Sequence, residues 1–158
     1  MNQFFLFVFL FCFPLFSQEL ISNFPLTRLE SGKVFAMHKE VSALEDGSFL
    51  VLNFTQSTCK PCKKEIPELL SHSKTNPKMK LVLVFIGDID KEVVRTLKEL
   101  DVPGDTLVLL DRLETSFDKL NFRGVPHTFV IGKNKTIIAR LEGYNDSNMQ
   151  MLRSILQK

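Results

Sequence analysis

Residues 49–54 (FLVLNF) constrain the chain most, because five of the six side chains are apolar and neither face is left for water. A run this short, apolar at consecutive rather than alternate positions, predicts a strand buried on both faces, at the centre of a sheet covered on two sides. After four polar residues come Cys59 and Cys62, at the head of a segment with helical periodicity. Ile66, Leu69 and Leu70 recur on one side of it, and Lys63, Lys64, Glu65 and Glu68 lie largely on the other. Asn76 and Pro77 close it.

The pattern then repeats. Residues 80–86 (KLVLVFI) read as a second buried strand, and Asp88 or Asp90 can cap a helix whose apolar stripe is Val93, Val94, Leu97 and Leu100. Residues 106–110 give a third strand, followed by a short helix through Leu120. Residues 127–131 and 136–141 are β-rich runs separated by Gly-Lys-Asn-Lys, a hairpin signal, and Asp146 opens a last helix with Met149, Leu152, Ile155 and Leu156 facing inward. Strand and helix alternate before a closing hairpin and helix, so the expected class is α/β, a central mixed sheet flanked by helices on both faces.

The 158 residues suit one domain with a core of its own, and 20 Lys and Arg against 18 Asp and Glu give no footprint for nucleic acid. The leader differs from the rest. Residues 4–16 carry no charge and hold seven of the chain's fifteen Phe residues, so this stretch belongs to a membrane. Its length is that of a secretory signal's apolar region, shorter than the roughly 20 residues that span a bilayer. Residues 1–17 are therefore expected to be a signal peptide or an N-terminal membrane anchor, with 18–158 the folded domain. Lipid attachment at Cys12 is disfavoured by the bulky Phe11 before it. Outside the leader only Cys59 and Cys62 remain, too few for a disulfide scaffold and enough for one redox couple.

Cys-x-x-Cys at a helix start places two thiols at i and i+3, within the Cα spacing a disulfide needs. The unpaired amides and partial positive charge of the helix end stabilise a thiolate. Exchange passes through a mixed disulfide that a second thiol resolves, which makes Cys59 the expected nucleophile and Cys62 the resolving thiol. Pro61 suits an early helical position, where its missing N–H costs nothing. Lys60 stands between the sulfurs as a supporting charge, whereas Lys63 and Lys64 read as a solvated face. Pro67 reads as a helix kink.

The stretch VLNFTQSTCKPCKKEIPEL resembles the active-site strand and helix of thioredoxins, and most of all the TlpA/ResA-type exported thiol-disulfide oxidoreductases. Asn53, Cys59, Pro61, Cys62 and Pro67 match that family's pattern, and GVPHTFVI at 124–131 is similar to its loop with a cis proline facing the dithiol. The resemblance implies a thioredoxin-like fold and a cis Pro126. It also implies that Val125 presents its backbone to a substrate peptide, that Asn53 supports Cys62, and that Gly143 follows the last strand. It further implies protein thiol and disulfide substrates, a reducing role such as cytochrome c maturation, electrons from a membrane dithiol partner, and no cofactor or metal. Thr58 stands where the family usually has Trp, and the chain has no Trp. An assisting acid in the middle segment has only Asp88 and Asp90 as candidates. Two other readings stay open. Cys59, Cys62 and His127 could bind copper for delivery, since thiolate and imidazole suit that metal; without a ligand, His127 is a partly exposed strand residue. The segment FPLTRLESGKVF also resembles the peroxiredoxin side of the superfamily, which points to thiol peroxidase activity.

Overall fold

The computed structural model describes residues 19–157, so the leader at 1–17, with Cys12, lies outside the described residues. The elements run β1 (Leu26–Arg28), β2 (Val34–Phe35), α1 (Met37–Ser42), β3 (Phe49–Thr55), α2 (Lys60–Thr75) and β4 (Met79–Ile86). They continue with α3 (Asp90–Glu99), β5 (Leu107–Asp111), α4 (Thr115–Leu120), β6 (His127–Gly132), β7 (Ile137–Glu142) and α5 (Asp146–Leu156). One seven-stranded sheet has the order β2-β1-β5-β4-β3-β6-β7. The pairs β3–β4 and β4–β5 are parallel, while β3–β6, β6–β7, β1–β5 and β1–β2 are antiparallel. The expected mixed α/β sheet is what the chain forms.

β3 is an interior strand, between β4 and β6, and is covered on both faces. Leu50, Leu52 and Phe54 point into one core with Val41 of α1, Leu120 of α4 and Phe129 of β6. Val51 points into a second core with Ile66 and Leu69 of α2, Val93 of α3 and Leu152 of α5. The period-2 alternation of a strand thus serves two apolar layers, which explains the unbroken run. Asn53 and Thr55 share the α2 side with Val51, and both are fully buried.

Some details depart from expectation. α3 is capped by neither aspartate: its N-cap is Ile89, with no side-chain cap bond. Val94 is 39% exposed, and Thr96 is buried in its place. The strands β1 and β2 and the helix α1 were not expected, since two- and three-residue strands are too short to show a period. Among the described residues no helix is long and apolar enough to cross a membrane.

Candidate active site

At the end of β3 the chain makes a turn, and α2 begins at Lys60 with Cys59 as its N-cap residue. Cys59 takes extended backbone angles there, and its Sγ accepts a hydrogen bond from the Cys62 amide at 3.2 Å, the role that Ser or Asp oxygens usually fill. Cys59 and Cys62 are joined by a disulfide, their Cα atoms 5.3 Å apart. Cys59 is half-buried and reachable, whereas Cys62 is wholly buried. Lys60 and Pro61, between them, are exposed, with the proline in the first turn.

β6 runs antiparallel to β3, so its first residues lie beside the end of β3 from which the dithiol springs. The Val125–Pro126 bond is cis, as the resemblance implied. The Val125 carbonyl oxygen is 3.7 Å from Cys59 Sγ, and Val125 is half-exposed while Pro126 is buried. Gly143, at φ +75°, donates its N–H to the Pro126 carbonyl at 2.9 Å, which ties the end of β7 to this loop.

Beneath the dithiol the α2 side of β3 holds a buried polar group. Asn53 Nδ2 donates to Glu65 Oε2 at 3.0 Å and to Thr128 Oγ1 at 2.8 Å, and the Thr128 hydroxyl donates to Glu65 Oε1 at 3.1 Å. All three residues have no exposed surface. Burial pushes the Glu65 carboxyl up to about 7, against the opposing pull of the Asn53 and Thr128 hydrogen bonds. Glu65 was expected on the polar face of α2. It instead stands three residues after buried Cys62, and the i, i+3 spacing puts both on one side of the helix. That spacing was the available signal. Asn53 is accordingly linked to α2 through Glu65. Asp88 and Asp90 are engaged elsewhere, with Ser57 and Arg112 respectively.

His127 does not join the cysteines. Register places Thr128 opposite Asn53 and His127 opposite Phe54, so the imidazole faces the other core. Its ring is 4.8 Å from those of Phe122 and Phe129, and it is 5% exposed rather than partly open. Neither ring nitrogen has a hydrogen-bond partner, and burial lowers its pKa. Among the described residues no group of three or more His, Cys, Asp or Glu is placed to hold a metal ion.

Residues 37–158 match the thioredoxin-like domain family, and the chain belongs to it. Solved structures of similar fold include the thioredoxin domain of a thiol-disulfide oxidoreductase from Bacteroides vulgatus, at TM-score 0.71 and 14% identity, covering 88% of this chain and 96% of that one. A secreted disulfide oxidoreductase of Mycobacterium tuberculosis, homologous to E. coli DsbE, aligns at TM-score 0.66 and 18% identity over 85% and 94% of the two chains. StoA from Bacillus subtilis aligns at 0.61 and 22% over 84% and 94%. At these identities the likeness establishes the fold, and the chemistry rests on the site. Comparison of the sequence with curated proteins finds no significant match.

Proposed function

We propose that this chain is a thiol:disulfide oxidoreductase acting on protein substrates, with Cys59 as nucleophile and Cys62 as resolving thiol. The observation that carries the reading is a disulfide closing the first turn of a helix, its outer sulfur reachable and 3.7 Å from the carbonyl of a cis-proline loop. In the reducing direction the Cys59 thiolate attacks a substrate disulfide, forming a mixed disulfide and releasing one substrate thiolate. The Cys62 thiolate then attacks the Cys59 sulfur, closing the internal disulfide and releasing the second substrate thiolate. The substrate gains two electrons and the enzyme loses two. Half-exposed Val125 faces the substrate, where its backbone can meet an extended peptide, and buried Pro126 backs it. Glu65, with a carboxyl near neutrality one turn beyond Cys62, is the group suited to exchange a proton with the buried thiol. Asn53 supports Glu65, and Pro61 and Lys60 shape and charge the turn.

The compartment in this reading lies outside the cytoplasm, with residues 1–17 as export signal or membrane anchor and a membrane dithiol as electron donor. Support comes from the uncharged, Phe-rich leader, whose length is that of a secretory signal's apolar region. The physiological direction is reduction, as in keeping cytochrome c maturation thiols reduced. Insulin reduction by dithiothreitol is the test: the parent is expected to accelerate it and Cys59→Ser to leave the uncatalysed rate. Equal rates would remove the enzymatic reading. A reduction potential toward the roughly −270 mV of thioredoxin supports the reductant role, and one near about −120 mV reverses the direction.

A further inference from the structure

The turn that delivers Cys59 to its helix is held by a side chain from the neighbouring strand's loop. The Cys59 amide donates to the Gln56 carbonyl at 3.1 Å, closing the turn, and the Gln56 side chain donates to the Ile86 carbonyl at 3.2 Å. Ser57, 4% exposed, donates twice to one carboxylate: its amide to Asp88 Oδ2 at 2.8 Å and its hydroxyl to Asp88 Oδ1 at 2.5 Å. Asp88 reaches Ser57 because Gly87 turns the chain at φ +69°. A Cβ on Gly87 would lie 2.6 Å from Glu114 Oε1. The loop is also tied on its far side, by the Gly87 amide to the Asp111 carbonyl at 3.0 Å and by Arg112 to Asp90 at 2.6 Å.

We propose that Asp88 is a positioning residue for disulfide exchange: acting through Ser57, it keeps the Cys59 sulfur over the first amides of α2 once the disulfide has opened. This rests on the reading of Cys59 as nucleophile. In the oxidised protein the bond to Cys62 fixes the sulfur by itself. In the reduced protein no covalent tie remains, and the stabilisation a helix end gives a thiolate fades within the first turn. A turn pinned from outside supplies the missing restraint. Each Asp88 oxygen accepts a hydrogen bond from Ser57, so the carboxylate braces the residue two positions before Cys59.

The sign of one measurement separates this role from a direct effect of charge. A carboxylate acting on the thiolate through space disfavours it, so its removal lowers the Cys59 pKa; a carboxylate that positions the sulfur does the reverse. Thiolate absorbance of the reduced proteins is titrated for the parent, Asp88→Ala, Asp88→Asn and Ser57→Ala, beside exchange rates and thermal unfolding. Asp88→Ala is expected to raise the Cys59 pKa by about one unit, which is about tenfold less thiolate at any pH well below both values, with slower exchange there. Asp88→Asn keeps an oxygen for Ser57 and is expected to stay within about threefold of the parent, well short of that tenfold step. A lower pKa in both Asp88 variants overturns the proposal, and so does an unchanged pKa in Asp88→Ala whatever its melting temperature. Should Asp88→Ala fail to fold, Ser57→Ala removes one bond only and must show a smaller rise of the same sign. A parent that exchanges no disulfide defeats the functional reading, whereas the titration alone decides whether Asp88 holds the turn.

Discussion

Glu65 carries a carboxyl into the buried interior, and a pH dependence of stability follows. Its folded pKa, about 7, lies above the ordinary 4.5, so between those values the native protein holds more proton than the unfolded chain. The stabilisation is complete below about pH 4.5 and is lost as pH rises through 7. Glu65→Gln removes that slope, and is expected to be more stable than the parent at pH 8 by on the order of 3 kcal/mol in urea unfolding. Asn53 Oδ1, buried and without a partner, can meet the new amide after a flip of the Asn53 side chain. A parent and variant with parallel pH profiles would show Glu65 to be already ionised. His127 works in the opposite direction. Burial lowers its pKa below the ordinary 6.5, so the unfolded chain takes up the proton first and stability falls as pH drops through that value. His127→Phe, stacking in the same slot between Phe122 and Phe129, is expected to flatten the acid limb of the stability curve. An acid limb as steep as the parent's would place the cause elsewhere.

At the scale of elements, caps decide which short helices stand. α5 is capped by Asn145, whose Oδ1 accepts from the Asn148 amide at 2.9 Å at an exposed position. Asn145→Ala is expected to cost about 1 kcal/mol, a fall of roughly 2–4 °C in melting temperature. α4 has only six residues and no cap from its own N-terminal Glu114, which sits in the left-handed region at φ 55°. Asp111, 1% exposed, replaces the cap: it accepts from the Thr115 amide and hydroxyl at 3.0 and 3.1 Å and from the Ser116 amide at 2.8 Å. Losing a buried carboxylate that satisfies three donors costs more than losing an exposed amide. Asp111→Ala is therefore expected to cost about 2–4 kcal/mol by thermal or urea unfolding, at least twice the Asn145→Ala loss. Equal losses would mean that α4 is held by packing alone.

At the scale of the molecule, the segment before the family match closes the sheet. Residues 19–21 bond to 135–137 beside β7, and β1 pairs with β5 on the other side. Ile21, Phe24, Leu26 and Phe35 of this segment are all under 5% exposed. At about 1.5–3 kcal/mol each their burial approaches a whole domain's usual stability of roughly 5–15 kcal/mol. A chain beginning at Met37, where the family match starts, is expected to show no cooperative unfolding by circular dichroism. A truncated protein melting within a few degrees of the parent would show that the segment is an ornament on a self-sufficient domain.

Local pattern was enough for the strands β3 and β4, the dithiol helix and the closing hairpin, because each repeats apolar residues at a period its own backbone imposes. The Cys-x-x-Cys was legible because it is contiguous in the chain, whereas the Val125–Pro126 loop was singled out only through resemblance to a family. Glu65 was misread by a helical wheel that grouped it with its charged neighbours, and His127 by a strand that gave no hint of Phe122 beside it. The Ser57–Asp88 link joins residues 31 apart and has no local signature. Sequence by itself determined which segments had to be buried and where the sulfurs stand. Only the folded sheet decided which polar groups were carried inside with them, because that depends on which face each strand turns to its neighbours, and a chain read in one dimension does not contain its neighbours.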